Sequence, residues 1–451
     1  MKYAAYSEYK TSNIGWILAF PVHWELKRLK HVANRAEVRV EADENNPLPY
    51  IGLEQVEPWT GRLIQLDDDL VPTGVSNCFA AGDTLFGKLR PYLAKACNVD
   101  FDGLCSSELL VLRGETYDRK FLLYQLLSHG FINLVDSSTY GSKMPRASWD
   151  YIGICELPVP PVDEQQTIAR FLDAKTAQID ELIAKKRQLI AKLKEKRQTL
   201  IARTVTRGLP PEVLARHSRE SGNPDGADWA PACAGATEVT MKDSGVDWPG
   251  PIPKAWKVVP LKWRARCSSG DGIATEDVEP NETADSNIPV IGGNGLMGYA
   301  AASNIDHQVL VIGRVGALCG NVHIVNPPAW ITDNALVLRP KTDVFDNRYL
   351  AHVLRFRNLN DIAAKTAQPL ITGTQVRDQR VPCPSMPEQI AMADFLDSEC
   401  LTLDELSGAT ETAIVRLTEY RQALITSAVT GKIDVRGFRH ARAGMTGEGA
   451  A

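Results

Sequence analysis

The fold is decided by a stretch that the chain contains twice, LPVPPVDEQQTIARFLDAKTAQIDEL at 157–182 and VPCPSMPEQIAMADFLDSECLTLDEL at 381–406. The two copies align at one constant shift of 224 positions, from 157 to 381. At that shift Glu164-Gln165 falls on Glu388-Gln389, and Asp180-Glu181-Leu182 falls on Asp404-Glu405-Leu406. So many matches at one shift identify an internal repeat, which determines the architecture of the whole chain.

The repeat extends well outside this stretch. The segment SNIGWILAFPVHW at 12–24 aligns with SGVDWPGPIPKAW at 244–256, and Gly87-Lys88 recurs as Gly313-Arg314. The shift drifts between these matches, so the loops differ in length while the framework persists. The sequence therefore predicts two copies of one unit, each a diverged domain followed by a long helix.

Each long helix is predicted to begin after a proline-rich segment, because proline is tolerated in the first helical turn and interrupts what precedes it. Asp163 is the expected N-cap of the first helix. About 40 residues at about 1.5 Å each give a rod of roughly 60 Å. Apolar side chains recur at the heptad spacing of coiled coils, and they are Leu172, Ile179, Leu182, Leu189, Leu193 and Leu200 in the first helix and Leu396, Leu403, Leu406, Leu417 and Leu424 in the second.

Two matched seams in one chain favour packing of the helices on each other as an antiparallel coiled coil. The alternative is that each seam docks onto a separate partner protein. The helices also differ in charge, because the first carries nine basic residues against one acidic residue between Ile183 and Arg207. The matching stretch of the second is nearly neutral. Any contact of the helices with a phosphate backbone is therefore expected mainly from the first helix.

The domain in front of each helix is predicted to be α+β, because its hydrophobic pattern changes between a period of two and a period near 3.6. Short apolar runs indicate strands at 48–53, 106–113, 309–313 and 334–339, and amphipathic helices at 120–128 and 348–356. The predicted boundaries are 1–156 for the first domain, 157–209 for the first helix, 210–242 for a flexible linker or insertion, 243–380 for the second domain, 381–434 for the second helix and 435–451 for a disordered tail.

Composition excludes several classes of protein. The 451 residues, 44% hydrophobic and 23% charged, are typical of a soluble protein with several domains. No apolar stretch reaches the roughly 18–20 residues of a membrane span, and no secretory signal opens the chain. The nine cysteines are scattered without the close pairs of a zinc site. We therefore expect a cytoplasmic protein without a membrane anchor or a bound metal.

Three motifs resemble catalytic sequences, and each departs from its pattern. The segment 82–88 resembles a phosphate-binding loop, but Leu89 stands where serine or threonine would bind magnesium. The glycines within 293–298 lack the strand–helix–strand unit of a dinucleotide site. The segment 326–328 begins like an adenine-methyltransferase motif, but Ala329 stands where an aromatic residue is needed. The sequence thus indicates no catalytic residue.

The whole chain resembles the specificity subunits of type I restriction–modification enzymes. The likeness covers about 1–209 and 243–434 and rests on the order of its motifs, which include GDTLFGKLRPYLAK at 82–95, IGRVGALCGN at 312–321 and the two proline-rich helix starts. The opening at 13–16 departs from the more usual form, which the second copy keeps. The resemblance implies that each domain is a target recognition domain reading one half of a bipartite DNA sequence.

The resemblance also implies partners and cofactors. The paired helices would set the spacing between the half-sites on double-stranded DNA and dock two modification subunits, which bind S-adenosylmethionine and methylate adenine. Two restriction subunits would add ATP-driven translocation and cleavage with Mg²⁺. The chain itself would be non-catalytic and would bind no cofactor.

Candidate DNA-binding residues are the Arg, Lys, Asn, Gln, Thr, Ser and Tyr side chains near the matched Gly-Lys and Gly-Arg segments and in one loop of each domain, because these types contact phosphates and base edges. They are Lys88, Arg90, Tyr92, Lys95, Tyr140, Ser142, Lys143 and Arg146 in the first domain and Arg314, Asn321, Gln368, Thr372, Thr374 and Arg377 in the second.

Two other functions stay open at this point. The net charge of −5 is compatible with a helical scaffold or adaptor that joins protein partners and binds no DNA. Two diverged domains on one framework disfavour it, because a scaffold has no evident need of two different readers. An independent methyltransferase would require Asn326 to be catalytic.

Overall fold

The computed structural model describes residues 3–41, 48–64, 74–114, 116–210, 213, 240–316, 318–364 and 368–438. The chain forms two compact units. Unit 1 comprises Met1–Arg187 together with Glu411–Ala451, and unit 2 comprises Gln188–Thr410. Each unit thus contains one of the two predicted domains and a part of both long helices.

Unit 1 has the predicted mixture of strands and helices. Its strands are β1 Tyr9–Ile14, β2 Ile17–Pro21, β3 Glu25–Arg28, β4 Asn34–Arg35, β5 Arg39–Glu41, β6 Tyr50–Ile51, β7 Val75–Phe79, β8 Thr84–Gly87, β9 Ala96–Asn98, β10 Gly103–Cys105, β11 Leu109–Arg113 and β12 Glu156–Val159. Its helices are α1 Arg119–Leu126, α2 His129–Ser137, α3 Trp149–Ile152 and the first part of α4 Val162–Arg207.

Unit 2 is built in the same way. Its strands are β13 Met241–Asp243, β14 Pro251–Pro253, β15 Lys257–Pro260, β16 Ala265–Ser269, β17 Ile288–Gly292, β18 Gly295–Ala300, β19 Val309–Gly313, β20 Val322–Val325, β21 Trp330–Ile331, β22 Ala335–Pro340 and β23 Arg380–Cys383. Its helices are α5 Asn347–Arg357, α6 Gly373–Arg377, the last part of α4 and the first part of α7 Met386–Val429. The last part of α7 belongs to unit 1.

Matching sheets form the cores of the two units. In unit 1 one sheet has the order β4-β11-β8-β9, and in unit 2 its counterpart has the order β16-β22-β19-β20. The central strands β8 and β19 are buried along their whole length, as expected of strands that are covered on both faces. A second sheet stands beside each, with the order β5-β7-β10-β6 in unit 1 and β18-β17-β21 in unit 2.

The long helices begin later than the boundaries 157–209 and 381–434 predict. Residues Glu156–Val159 and Arg380–Cys383 are strands, which pair antiparallel with β3 and β15. The prolines of these segments account for the difference, because proline lacks the N–H of a helical bond and holds the preceding residue extended. Asp163 lies in the first turn of α4 rather than at its N-cap. From there α4 runs without a break to Arg207, as the sequence predicts.

The glutamine of the repeated Glu-Gln pair joins each long helix to its own domain. In unit 1 the side-chain oxygen of Gln165 accepts from the N–H of Asp118 at 2.9 Å, and its amide donates to the carbonyl of Pro160 at 2.9 Å. In unit 2 Gln389 accepts from the N–H of Asp346 at 3.0 Å. Asp118 and Asp346 are the N-caps of α1 and α5. One buried amide therefore connects the long helix to the start of the domain helix.

The glutamate of the pair receives the indole of a matched tryptophan. In unit 1 Glu164 accepts from Trp24 Nε1 at 3.1 Å and from the Tyr6 hydroxyl at 2.6 Å. In unit 2 Glu388 accepts from Trp256 Nε1 at 3.0 Å. The carboxylate therefore holds one matched pair of tryptophans, Trp24 and Trp256, in the same place in both units.

In each unit α4 and α7 run antiparallel. In unit 1 the core contains Leu172 and Ile179 of α4 with Leu424 and Ala428 of α7. In unit 2 it contains Ile201 and Val205 of α4 with Leu396 of α7. The antiparallel pairing expected from the heptads is therefore present within each unit.

Three predicted seam leucines do not lie in the seam. The side chains of Leu182, Leu189 and Leu406 are 43%, 40% and 47% exposed. The first seam position of each heptad is the one that holds Leu172 in α4 and Leu396 in α7, and the second follows it by four residues rather than three. The second position holds Thr176, Ile183, Ile190 and Arg197 in α4 and Cys400, Ser407, Ile414 and Arg421 in α7. Polar residues at this position hid it in the sequence, where the neighbouring leucines gave the stronger apolar pattern.

Two of those polar residues, Arg421 and Arg197, each form an ion pair with an aspartate of the other long helix. The two ion pairs occupy equivalent positions of the repeat, one in each unit. In unit 1 Arg421 Nε lies 2.9 Å from Asp180, with side chains only 6% and 16% exposed. Arg421 also donates to the carbonyl of Trp59 at 2.9 Å. In unit 2 Arg197 Nε lies 3.3 Å from Asp404 without hydrogen-bond geometry, and these side chains are 35% and 61% exposed. The same pair is therefore buried in one copy and solvated in the other.

The N-terminal and C-terminal segments of the described chain close unit 1 together. The N–H of Asp434 donates to the carbonyl of Ala4 at 2.8 Å, and the Tyr9 hydroxyl donates to the carbonyl of Gly431 at 3.0 Å. Val435 is buried, and the Phe438 ring meets Phe171 edge-on at 5.2 Å. Residues 435–438 therefore differ from the predicted disordered tail, whose remainder lies outside the described residues.

The predicted linker 210–242 lies largely outside the described residues as well. Its last residues differ from the prediction, since 241–242 belong to β13, which pairs with β14. No helix within the described ranges is long and apolar enough to cross a membrane.

Removal of Arg421 is expected to lower stability far more than removal of Arg197. Arg421→Ala leaves Asp180 with the half-exposed Arg62, at 2.8 Å, as its ionic partner and removes the donors to the carbonyls of Trp59 and Thr60. The loss of these charged hydrogen bonds should cost about 1.5–3 kcal/mol. Arg197→Ala removes a pair that stands largely in solvent, a loss of about 1 kcal/mol or less. Urea unfolding of both variants beside the unmodified chain measures the free energies, and equal losses would show that burial does not govern the contribution of this pair.

Glu388 is expected to make unit 2 sensitive to pH. Burial raises the pKa of Glu388 above its ordinary value of 4.5, so the folded chain holds this proton more tightly than the unfolded chain. The stability that protonation of Glu388 contributes to the folded chain is fully present below pH 4.5 and is lost as the pH rises through the raised pKa. Glu388→Gln, which keeps an acceptor for Trp256, should raise the free energy of unfolding at pH 7. The exposed Glu405→Gln is the control, and equal pH profiles for both variants would contradict the assignment.

Candidate nucleic-acid interface

In unit 1 the structure brings together the two groups of candidate residues that lie far apart in the sequence. Strand β8 ends at Gly87 and continues into the segment 88–90, which lies beside the loop 140–146. Leu89 and Arg146 form a β-bridge, and the N–H of Arg90 donates to the carbonyl of Pro145 at 2.7 Å. Backbone hydrogen bonds therefore hold the loop against the end of the strand.

The loop 140–146 is closed at its base and open at its tip. The N–H groups of Tyr140 and Arg146 each donate to the other residue's carbonyl, at 3.1 and 3.0 Å. Gly141 has a φ of +92°, a left-handed conformation that glycine adopts without strain. At the tip the Tyr140 side chain is 62% exposed, and Ser142 and Lys143 are also exposed. The loop presents polar and aromatic groups on a fixed backbone.

Unit 2 repeats this construction with different side chains. Val315 and Leu370 form a β-bridge, and the N–H of Ile371 donates to the carbonyl of Arg314 at 2.9 Å. The loop from Gln368 to Thr372 therefore lies beside the end of β19, as 140–146 lies beside the end of β8. Each unit carries one such site, formed by a strand end and a crossing loop.

A cluster of four cations, Lys88, Arg146, Arg35 and Arg39, lies at the site of unit 1 with the carboxylate of Glu108. Arg146 donates to Glu108 through Nε and Nη2, both at 2.9 Å. Burial lowers the pKa of Lys88, and Arg146, Arg35 and Arg39 lower it further, while Glu108 opposes them. The cluster gives this face a positive potential that suits a phosphate backbone.

Sequence reasoning missed Arg35 and Arg39. In the sequence they alternate with Glu37 and Glu41, and they look like part of a charge-balanced strand. They reach the cluster through strand pairing, since β4 lies beside β11 and β5 lies beside β7. No local pattern could have marked them.

Several predicted residues have other partners or positions. Lys95 Nζ donates to the carbonyl of Leu53 at 2.6 Å, so this side chain serves the fold of unit 1. Thr372 is the N-cap of α6 and accepts from the N–H of Gln375 at 3.3 Å. Thr374 and Arg377 lie on α6 itself and are exposed rather than in the loop.

The remaining candidates stay at the surface of their sites. Arg90 and the 45%-exposed Tyr92 follow Lys88. Arg314 Nη1 donates to Ser269 Oγ at 3.3 Å. Asn321 is exposed, and its backbone carbonyl accepts from the N–H of Gly313 at 2.9 Å. These groups can form hydrogen bonds to phosphates and to base edges.

The catalytic-looking motifs have structural roles. Residues 84–87 form the buried strand β8 rather than a phosphate-binding loop. Gly293 and Gly295 belong to the hairpin of β17 and β18, which pair antiparallel. Asn326 accepts from Gln308 Nε2 at 2.8 Å. Among the described residues no group of three or more His, Cys, Asp or Glu side chains could hold a metal ion.

Comparison with known proteins gives a consistent picture. Residues 21–192 and 253–410 match the family model of the type I restriction modification DNA specificity domain. The type I restriction enzyme EcoprrI specificity subunit of Escherichia coli is 32% identical over 137 residues, which are 30% of this chain and 33% of that subunit. The EcoDI specificity subunit of Escherichia coli is 26% identical over 212 residues, 46% of each chain.

The fold also has a counterpart among solved structures. A chain from a structure that explains complex assembly and conformational transition of the type I R-M system aligns with a TM-score of 0.68. The identity is 18%, and the alignment covers 92% of this chain and 99% of that chain. The tandem α+β fold with long helices is confirmed. The matches to the two Escherichia coli subunits, by contrast, span only a third to just under half of their lengths.

Proposed function

This chain belongs to the type I restriction–modification DNA specificity family, and we propose that it selects the DNA sequence for a type I restriction–modification complex. Each unit reads one half of a bipartite target on double-stranded DNA. The observation that carries this proposal is the duplicated site, a strand end with Lys88 or Arg314 held beside a crossing loop. Equal scaffolds with different side chains suit two different half-sites.

The long helices set the spacing between the half-sites. Both α4 and α7 contribute to both units. An insertion or deletion within them would therefore change the distance that the two readers span. The basic residues that α4 carries between Ile183 and Arg207 would lie near the DNA backbone in this arrangement.

The chain performs no chemistry of its own. It acts in the cytoplasm with two modification subunits and two restriction subunits, and S-adenosylmethionine, ATP and Mg²⁺ are bound by those partners. The structural roles of the three catalytic-looking motifs support this assignment.

The exposed leucines of the helices are the docking points for the modification subunits. Leu182 in unit 1 and Leu406 in unit 2 occupy equivalent positions of the repeat, and both stand outside the buried seam. Isolated apolar side chains at the same place in each copy would give two copies of one partner the same anchor.

DNA binding by the complex with its modification subunits is expected to depend steeply on salt. Each lost phosphate contact should reduce the slope of log Kobs against log salt by about 0.9. The double variant Arg90→Ala plus Lys143→Ala should therefore reduce the slope by about 2 and weaken binding to all sequences. A fluorescence titration at several salt concentrations measures both quantities.

The control for this titration is Lys30→Ala plus Arg170→Ala, which removes the same charge from exposed positions of unit 1 outside the site. It should leave the slope close to that of the unmodified chain. A flat slope for the unmodified complex would favour the helical scaffold. Equal slopes for the two double variants would remove the loop 140–146 from the interface.

Charged substitutions at the exposed leucines should each release one modification subunit. Leu182→Glu and Leu406→Glu place a carboxylate in an apolar contact, which loses affinity by desolvation. Native mass spectrometry should find one modification subunit instead of two for either variant. Leu18→Glu, at an 82%-exposed leucine of β2, is the control. Two bound subunits in both helix variants would disprove this docking point.

A further inference from the structure

One position of the repeat carries a carboxylate in unit 1 and an amide in unit 2. Leu109 pairs with Gly87 in the ladder of β11 and β8, and Ala335 pairs with Gly313 in the ladder of β22 and β19. The residues just before these partners are Glu108 and Asn334. Both stand where a strand meets the proposed reading site.

Backbone hydrogen bonds confirm that the two positions are equivalent. The N–H of Lys88 donates to the carbonyl of Glu108 at 3.0 Å, and the N–H of Arg314 donates to the carbonyl of Asn334 at 3.1 Å. Each residue therefore lies directly beside the basic residue that follows the central strand. The backbone is the same in both copies, and the chemical difference lies in the side chains.

The surroundings of Glu108 argue against a contact with phosphate. Its carboxylate is 20% exposed and accepts from Nε and Nη2 of Arg146, both at 2.9 Å. A carboxylate repels phosphate and offers only acceptors. Of the groups on DNA, it suits the amino group of a base.

The surroundings of Asn334 leave its side chain available to a ligand. Asn334 is exposed, and its amide forms no hydrogen bond within the described part of the chain. Its backbone is held by the hydrogen bond that its carbonyl accepts from the N–H of Arg314 at 3.1 Å, and Gly293 packs closely against the same carbonyl. A fixed backbone with a free amide gives one donor and one acceptor in a defined place, which is the pattern that matches adenine.

We propose, on the basis of the function proposed above, that Glu108 and Asn334 make the two half-sites different. Glu108 accepts a hydrogen bond from the amino group of cytosine, and Arg146 positions it by holding its carboxylate. Asn334 donates to and accepts from adenine through its amide. Each residue determines one base pair in its own half of the target.

The test is the methylated motif in cells that carry the full set of subunits, read by sequencing with base-modification detection. Glu108→Gln adds a donor and should reduce the preference at one base pair of one half-site about tenfold or more. Asn334→Asp removes a donor and should do the same in the other half-site only. Each variant is thus the internal control for the other. Glu156→Gln, at an exposed carboxylate of β12, should leave the motif unchanged.

Two outcomes would overturn the proposal. One is an unchanged motif in both variants with methylation retained, and the other is loss of methylation at all sites in equal proportion without a change of motif. If Glu108→Gln does not fold, as judged by thermal unfolding, Glu108→Asp keeps the charge for Arg146 and should weaken the preference at the same base pair. Absence of any motif with the unmodified chain and a folded modification subunit would instead count against the proposed function itself.

Discussion

The rest of each unit depends on the Glu-Gln pair that opens its long helix. The prolines before the helix cannot donate backbone hydrogen bonds, so this corner has polar groups that neither a strand nor a helix can satisfy. The amides of Gln165 and Gln389 bond the N-cap residue of the domain helix and a proline carbonyl. The neighbouring glutamates accept from a tryptophan that immediately precedes a strand, Trp24 before β3 and Trp256 before β15. Domain and helix are thereby joined by buried polar contacts that specify one geometry.

How much of this could be predicted follows from the range of the interactions involved. The repeat, the α+β domains and the long helices were all visible, because periodicity and proline position are local properties. The register of the seam was not. A heptad allows steps of three or four, and the polar Thr176, Arg197 and Arg421 at the second seam position made the exposed Leu182, Leu189 and Leu406 look like better candidates. Arg421 is stable there because Asp180 of the other helix and the carbonyls of Trp59 and Thr60 accept from its guanidinium.

The same reasoning separates the predictable from the unpredictable part of the site. A Gly-Lys or Gly-Arg after an apolar run marks the end of a strand, so Lys88 and Arg314 could be found. Arg35, Arg39 and Glu108 reach the site through strand pairings that the sequence does not express locally. Lys95 lies in the same segment as Lys88, but a carbonyl within the unit captures its ammonium group. Lys88 and Lys95, which are close in the sequence, thus have different partners, while residues that are far apart in the sequence meet at one site.

The closure of unit 1 by both ends of the described chain has a consequence for synthesis. Unit 2 consists of one uninterrupted span, Gln188–Thr410, and every residue it needs has been made before the ribosome reaches the last part of α7. Unit 1 must wait for Asp434 and Val435 to meet Ala4 and the surrounding core. The first half to be translated is therefore the last to be finished. A chain released early would carry a complete unit 2 and an incomplete unit 1, whose apolar surface would be accessible to proteases and chaperones.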